Sequence, residues 1–275
     1  MFSSGKQLSK SLYILGVSVI LLTVYAPYFV SLGPIGGYLV VYGAPILVVS
    51  LLFGRQIVSK MTKNNKEAFK LTMGSFSLFY VAGVFLAAIA FAIIMQFDSS
   101  AQHLIEQPNP ALDVSPTVAL VMMGVAMLVV GPAEEYLFRG FLFGGLLSIF
   151  KGKHWFVLGI VSSLIFSLAH GYYAITYGVV SPIFYIQLTL FGMAMCLAYY
   201  WSGGNLVALA VIHGLSDAIG FLGVATTRTV GLTAQGIFLA VGLVFGVFYV
   251  LLKKVRINPT RISGEPQPQL EQRAH

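Results

Sequence analysis

Long apolar stretches dominate this sequence of 275 residues, and they constrain its fold more than any other feature. A helix needs about 20 consecutive apolar residues to cross the hydrocarbon core of a bilayer. Such stretches predict an all-α polytopic membrane bundle with about eight transmembrane helices. The eight stretches are 12–32, 35–53, 71–95, 117–150, 155–177, 182–201, 206–223 and 232–252.

Composition supports the membrane class. Hydrophobic residues make up 57% of the chain and charged residues 9%, whereas soluble domains average roughly 25% charged residues. The net charge of +7 would also suit a nucleic-acid partner. However, Lys and Arg lie in short runs between apolar stretches, as they do in loops beside membrane spans. We therefore expect the lipid bilayer as a partner and no nucleic acid.

The charges between the stretches predict an orientation. Segment 54–70 contains five Lys and Arg residues, and basic residues also follow the fourth and eighth stretches. Segment 96–116 contains three acidic residues and no Lys or Arg. Because cytoplasmic loops are enriched in Lys and Arg, we expect a multi-pass protein of the cell membrane with both termini in the cytoplasm.

Two Gly-Pro pairs and the C-terminal composition predict where the chain bends or leaves the membrane. Gly33-Pro34 lies between the first two stretches and predicts a tight helical hairpin or a broken pair. At Gly131-Pro132 we expect a break or kink, since proline lacks a backbone donor and clashes with the preceding turn. A helix that begins there would direct its positive end towards the carboxylates that follow. Residues 1–257 form the predicted transmembrane domain, and the Pro- and Gln-rich residues 258–275 a flexible polar tail.

A few ionisable residues interrupt the apolar stretches, although such a residue costs roughly 2.5–3.5 kcal/mol at a helix centre. Glu135 and Arg139 are four residues apart with Glu first, which favours an ion pair on one helix face. Glu134 points about 100° away from Glu135, so the two carboxylates need not share a partner and one can face a cavity. His213 and Asp217 are also four apart and share a helix face.

These residue types predict a hydrolytic site. A carboxylate beside an imidazole, away from bulk water, can remove a proton from a trapped water molecule and make it a nucleophile. Groups from another helix could then stabilise the developing oxyanion. Structural interpretations are also open, because His170 or His213 could satisfy an interhelical hydrogen bond and the Glu135–Arg139 pair could serve only stability.

Three motifs, taken in order, resemble the signature of the CPBP family, also called Abi, which includes CAAX prenyl proteases and bacteriocin-processing enzymes. Residues 134–140, EEYLFRG, match its EExxxR motif, and residues 166–170, FSLAH, match its FxxxH motif. Residues 213–217, HGLSD, resemble its third motif. The resemblance covers a core of about residues 117–223, and the eight spans of the family fit the whole chain.

The resemblance implies an intramembrane glutamic endopeptidase that acts on a membrane-bound or lipidated peptide, with prenylated CAAX tails as one substrate class. Its catalytic residues would be Glu134, His170, His213 and Asp217. The first two would activate the attacking water and the last two would stabilise the oxyanion, without a metal or another cofactor. Glu135 and Arg139 would be the supporting pair.

One position departs from the prenyl-protease pattern, which usually has Asn where this chain has Asp217. An amide can donate a hydrogen bond to an oxyanion, whereas an ionised carboxylate would repel it. Asp217 could be protonated because desolvation disfavours its charged form, could orient His213, or could bind a metal.

Other functions stay open at this stage. A nitrogen and oxygen ligand set for a divalent metal such as zinc is available, although the sequence has no HExxH motif. The chain could also be a proton-coupled carrier, because mid-membrane carboxylates and histidines mark ion paths, or a scaffold or bacteriocin-immunity protein without activity. The candidate substrate-lining residues are Phe138, Phe166 and Tyr172, of which Tyr172 could instead anchor the helix at the membrane interface.

Overall fold

The computed structural model describes residues 10–26, 30, 37, 39–59, 61, 65–106, 109 and 112–253. In this part of the chain every regular element is helical, so the prediction of an all-α fold is confirmed. The helices are α1 Lys10–Tyr25, α2 Leu39–Val58, α3 Asn65–Phe97, α4 Ala101–Ile105, α5 Pro116–Ile149, α6 Trp155–Leu168, α7 Tyr172–Tyr177, α8 Ser181–Trp201, α9 Leu206–Ala225 and α10 Arg228–Lys253.

Helix length and composition confirm an integral, multi-pass membrane protein. Among the described residues, six helical segments are long and apolar enough to cross a bilayer, with α7 and α8 together forming one of them. The apolar helices α1 and α6 are shorter, with 16 and 14 residues. A helix of that length extends only about 21–24 Å, less than the roughly 30 Å of a hydrocarbon core. Six segments and two shorter helices are compatible with eight crossings, and that number stays a prediction.

Helix α5 does not break at Gly131-Pro132, where the sequence predicts a break or a kink. It continues through this pair, with π-helical turns at Ala126–Val130 and Glu135–Phe143 on either side of the α-helical turn Gly131–Glu134. The wider π-helical turn accommodates a proline ring that would clash with the preceding turn of a regular helix. No new helix begins there, so side-chain contacts rather than a helix terminus must stabilise the two glutamates.

The predicted fifth stretch, 155–177, is also corrected. Helix α6 ends at Leu168, and the chain then turns before α7 begins at Tyr172. His170 therefore lies in the turn between two helices and not within a span. Several predictions concern residues outside the described part of the chain. These are the Gly33-Pro34 hairpin, the tail 258–275, and the loop charges of Lys60, Lys63, Lys254 and Arg256.

Contacts between helices define one end of the bundle, which we call the basic end. The Asn205 amide donates a hydrogen bond of 2.7 Å to Asn65 Oδ1, which joins the start of α9 to the start of α3. The rings of Trp155 and Tyr200 stack 4.7 Å apart, which joins the start of α6 to the end of α8. The described basic residues in or beside the helix turns at this end include Lys10, Arg55, Lys66, Lys70, Lys151 and Lys153.

The opposite end, which we call the acidic end, is defined in the same way. The Tyr25 hydroxyl donates to the Leu168 carbonyl at 2.6 Å, and the Asn109 amide donates to the Tyr173 hydroxyl at 3.4 Å. The connection between α3 and α5 at this end contains Asp98, Glu106 and Asp113. Arg228, at the start of α10, is a basic residue here.

A close crossing of α5 and α9 brings the two halves of the site together. A Cβ atom built on Gly131 would lie 2.6 Å from the backbone nitrogen of Gly214, and one on Gly214 would lie 2.7 Å from Cα of Met127. Small residues allow membrane helices to approach closely, and at these two positions the distances leave no room for a Cβ atom. Because Glu134 lies one turn after Gly131 and His213 directly precedes Gly214, the crossing places a carboxylate beside the imidazole.

Candidate active site

Glu135 lies at the buried end of the site. Its side chain is 0% exposed, and its Oε1 accepts hydrogen bonds from Arg139 Nη1 at 3.0 Å and from His213 Nδ1 at 2.7 Å. The Arg139 guanidinium also lies 4.3 Å from the centroid of the Phe166 ring, a cation–π arrangement. The predicted pair of Glu135 and Arg139 is thus part of a cluster that includes His213. Removing one partner of such a buried cluster leaves an uncompensated charge.

Glu134 faces a cavity instead. Its Oε1 accepts a hydrogen bond of 2.8 Å from the Tyr42 hydroxyl at the start of α2, and its Oε2 lies 3.5 Å from His213 Nε2. The two glutamates therefore have different surroundings, as their angular separation predicts. They nevertheless share His213, each through a different ring nitrogen, which the sequence did not predict.

His213 stands between three carboxylates. Besides its contacts with Glu134 and Glu135, its Nε2 lies 3.5 Å from Asp217 Oδ2. A carboxylate accepts hydrogen bonds, so Nδ1 carries the proton in the 2.7 Å contact with Glu135, and a proton on Nε2 would face Glu134 and Asp217. Both contacts of Nε2 are longer than the usual 2.7–3.2 Å of an N–H···O bond. Nε2 is therefore not hydrogen-bonded to Glu134 or to Asp217.

His170 presents its ring to the same cavity. Its Nδ1 lies 2.9 Å from the Phe166 carbonyl, and its ring centroid lies 4.8 Å from that of Phe166. Because a carbonyl oxygen only accepts, Nδ1 carries the proton, and Nε2 of the neutral ring is left as an acceptor. The turn after α6 therefore orients His170 as a possible proton acceptor.

A cavity of about 510 Å³ connects these residues. Glu134, His170, His213 and Asp217 all line it, and so do Phe166 and Tyr172. Phe138 does not line it, because its ring packs edge-on against Phe166 at 5.1 Å in the hydrophobic core. The lining also contains polar residues that were not predicted as site residues, namely Tyr42, Tyr80, Asn109, Tyr173, Gln187, Ser216 and Gln235. Gln187 and Gln235 could have been found as neutral amides inside predicted spans.

The described residues include no group of three or more His, Cys, Asp or Glu side chains arranged to hold a metal ion. The carboxylates of the site contact His213 and Arg139, and His170 contacts a backbone carbonyl. A zinc-dependent reaction stays a separate hypothesis that chelation tests.

The fold and the site together define a multi-pass membrane protein with a buried cluster of acidic and histidine residues beside a cavity. Residues 116–219 match the family model "Rce1-like", described as type II CAAX prenyl endopeptidase. This match confirms the resemblance to the CAAX prenyl protease family that was inferred from the motifs. The match begins with α5, ends within α9 and includes all three motifs. The match supports a membrane endopeptidase with a peptide substrate. Comparisons with curated proteins and with solved structures found no match.

Proposed function

We propose that the chain is a glutamate-dependent intramembrane endopeptidase that cleaves a membrane-bound or lipidated peptide. The observation that carries the proposal is the environment of Glu134. This carboxylate is 8% exposed, faces the cavity, and has one oxygen held by Tyr42 and the other beside His213. A carboxylate fixed in this way can act as a general base on a water molecule, a contribution of about 10²–10⁴-fold in rate.

The proposed reaction assigns a role to each acceptor and donor around the cavity. Glu134 removes a proton from water while the water oxygen attacks the peptide carbonyl carbon, which converts the carbonyl oxygen into an oxyanion. The proton then passes to the amide nitrogen as the carbon–nitrogen bond breaks. His170, with Nε2 as an acceptor in the same cavity, positions the water and can relay this proton.

His213 is the proposed oxyanion donor. Its Nδ1 is fixed by Glu135 at 2.7 Å, which directs Nε2–H towards the cavity. Asp217, 3.5 Å from that nitrogen, interacts with the protonated ring electrostatically, and in this scheme it does not itself contact the oxyanion. In this assignment Asp217 does not need to stabilise the oxyanion as an Asn amide would, because its carboxylate interacts with the His213 imidazole instead. No cofactor is required in this scheme.

The cavity lining supports an apolar substrate segment. Beside the polar groups, it contains Phe166, Phe184, Leu188, Phe191 and Phe221. A lipidated tail of CAAX type is one substrate with that character, and a hydrophobic membrane anchor is another. We place the protein in the cell membrane with both termini cytoplasmic, on the basis of its loop charges.

The test compares membranes that contain wild-type protein, Glu134→Gln, or Glu67→Gln, with new peptide termini mapped by mass spectrometry. Glu67 lies in the first turn of α3 at the basic end, so its variant controls for the loss of a carboxylate away from the cavity. We expect termini that appear with wild type and Glu67→Gln, disappear with Glu134→Gln, and persist with a chelator. Loss on chelation, with recovery on adding zinc, would support the metal-dependent alternative. Identical termini in equally abundant, folded Glu134→Gln would refute the protease and favour a scaffold or carrier.

A further inference from the structure

The cavity occupies one half of the bundle. Helix α5 begins at the acidic end, and its cavity-lining residues all precede Glu135 in the chain. Helix α9 ends at the acidic end, and its lining residues run from His213 towards that end, as far as Phe221. Helix α8 begins there and contributes only residues between Phe184 and Phe191. Three helices thus independently place the cavity beside the acidic end.

The connections at the acidic end complete the wall. Asn109 and Leu112 come from the segment between α3 and α5, and Tyr172 and Tyr173 come from the start of α7. None of the described residues at the basic end belongs to the lining. On that side the cavity is closed by the buried Glu135 cluster and by the aromatic core around Phe138.

Side-chain exposure increases along the cavity in the same direction. Glu135 is 0% exposed and Glu134 is 8% exposed, whereas Asp217 is 38% exposed. Asp217 lies one helical turn beyond His213, nearer to the acidic end of α9. This increase in exposure supports access to the site from the acidic end, through Asp217 and the residues beyond it.

The loop charges assign this end to one side of the membrane. The basic end carries the Lys and Arg residues named above, and cytoplasmic loops are enriched in these residues. We infer that the catalytic cavity opens towards the non-cytoplasmic face, so that its substrate is a membrane-anchored peptide whose scissile bond lies at or beyond that face. A tail that is lipidated and presented in the cytoplasm does not fit this geometry. The cleavage part of the inference rests on the proposed protease function, whereas the sidedness of the cavity does not.

The sidedness can be tested because the chain has a single cysteine, Cys196, which is buried in the core. In a Cys196→Ala background, Ser99→Cys marks the acidic end and Lys153→Cys marks the basic end, and both positions are exposed. Ser216→Cys and Gly220→Cys report on the cavity, which both residues line. A Cβ at Gly220 would come no closer than 3.7 Å to a neighbouring side chain, so this position accepts the change.

Intact cells are treated with a small, charged, membrane-impermeant methanethiosulfonate reagent, and parallel samples are permeabilised first. We expect Ser99→Cys and both cavity variants to react in intact cells, and Lys153→Cys to react only after permeabilisation. Reaction of the cavity variants together with Lys153→Cys, only after permeabilisation, would overturn the inference. Reaction of Lys153→Cys alone in intact cells would overturn it as well, since the orientation would then be reversed.

The labelling does not depend on catalysis, so it separates the inference from the proposed function. If the cavity variants react from outside but no termini depend on Glu134, the sidedness stands and the protease proposal fails. If termini do depend on Glu134, we expect the cleaved bonds to lie at the non-cytoplasmic ends of membrane anchors. Cleavage confined to cytoplasmic segments would contradict the substrate class inferred here.

Discussion

The crossing of α5 and α9 should control both stability and catalytic geometry, and Gly131→Ala tests this. The added Cβ would lie 2.6 Å and 2.8 Å from the Gly214 nitrogen and Cα, and 2.9 Å from the Ala210 carbonyl oxygen. All three atoms are backbone atoms, so no side chain can rotate away. The helices must separate by several tenths of an ångström to reach the ordinary contact distance of 3.4 Å. Overpacking of this kind costs about 1–3 kcal/mol.

The same separation moves Glu134 away from His213. A misplacement on the order of 1 Å can cost about 10²-fold in rate, so we expect cleavage by Gly131→Ala to fall by about tenfold to a hundredfold. Stability is measured by thermal unfolding in detergent with a thiol-reactive dye, because Cys196 is buried in the folded core. A loss of 1 kcal/mol should lower Tm by about 2–4 °C for a protein of comparable size.

The matched control is Gly124→Ala, the same substitution on α5 away from the cavity, where the new Cβ would have no neighbouring atom within 4 Å. We expect its Tm and cleavage rate to stay close to wild type. Equal values for both variants would refute the reasoning about the crossing. A Gly131→Ala protein with a lowered Tm but unchanged cleavage would show that the crossing does not position the site.

Three further substitutions distinguish the roles of the polar residues. Glu135→Gln should lower the free energy of unfolding by about 3–5 kcal/mol, because it leaves the Arg139 charge buried and unpaired. Glu134→Gln should unfold near the wild-type temperature, and equal Tm values for the two variants would contradict the different surroundings of the two glutamates. Tyr42→Phe removes one hydrogen bond from Glu134 and should lower kcat/KM by up to about tenfold, the equivalent of about 0.5–1.5 kcal/mol. An unchanged kcat/KM would show that this hydrogen bond does not position Glu134. Asp217→Asn should cost no more than about tenfold in kcat/KM, since an amide oxygen can also accept from the imidazole; a loss of about 10²–10⁴-fold would instead identify Asp217 as a general base.

Contacts within one helix could be predicted from the sequence because helix geometry determines which residues are neighbours. The i, i+4 spacing of Glu135 and Arg139 predicts their ion pair, which is observed at 3.0 Å. The same spacing brings Asp217 within 3.5 Å of His213. The angle between successive residues also explains why Glu134 faces the cavity while Glu135 is buried.

Contacts between helices could not be predicted in this way, because they depend on how distant segments pack. Tyr42 lies 92 positions before Glu134 in the chain, and nothing in its local sequence marks it as a partner. The end of α6 was also missed, because residues 155–177 are apolar and aromatic almost throughout and Gly171 is the only local stop signal near the turn. At Pro132, where a break or kink was predicted, the helix continues through π-helical turns, which sequence periodicity does not reveal.

The distribution of hydrogen-bond partners explains why one of three carboxylates is the proposed base. Glu135 Oε1 already accepts from Arg139 and His213 at 3.0 Å and 2.7 Å, and full burial keeps this residue away from water. Asp217 is the most exposed of the three and lies on the access side of the cavity. Glu134 combines burial with one short hydrogen bond, from the neutral Tyr42 hydroxyl, so lone pairs of its carboxylate are left to accept from a water molecule in the cavity. The three carboxylates around the His213 imidazole therefore differ in role. Glu135 supports the ring, Asp217 lies on the access side, and Glu134 is the proposed base.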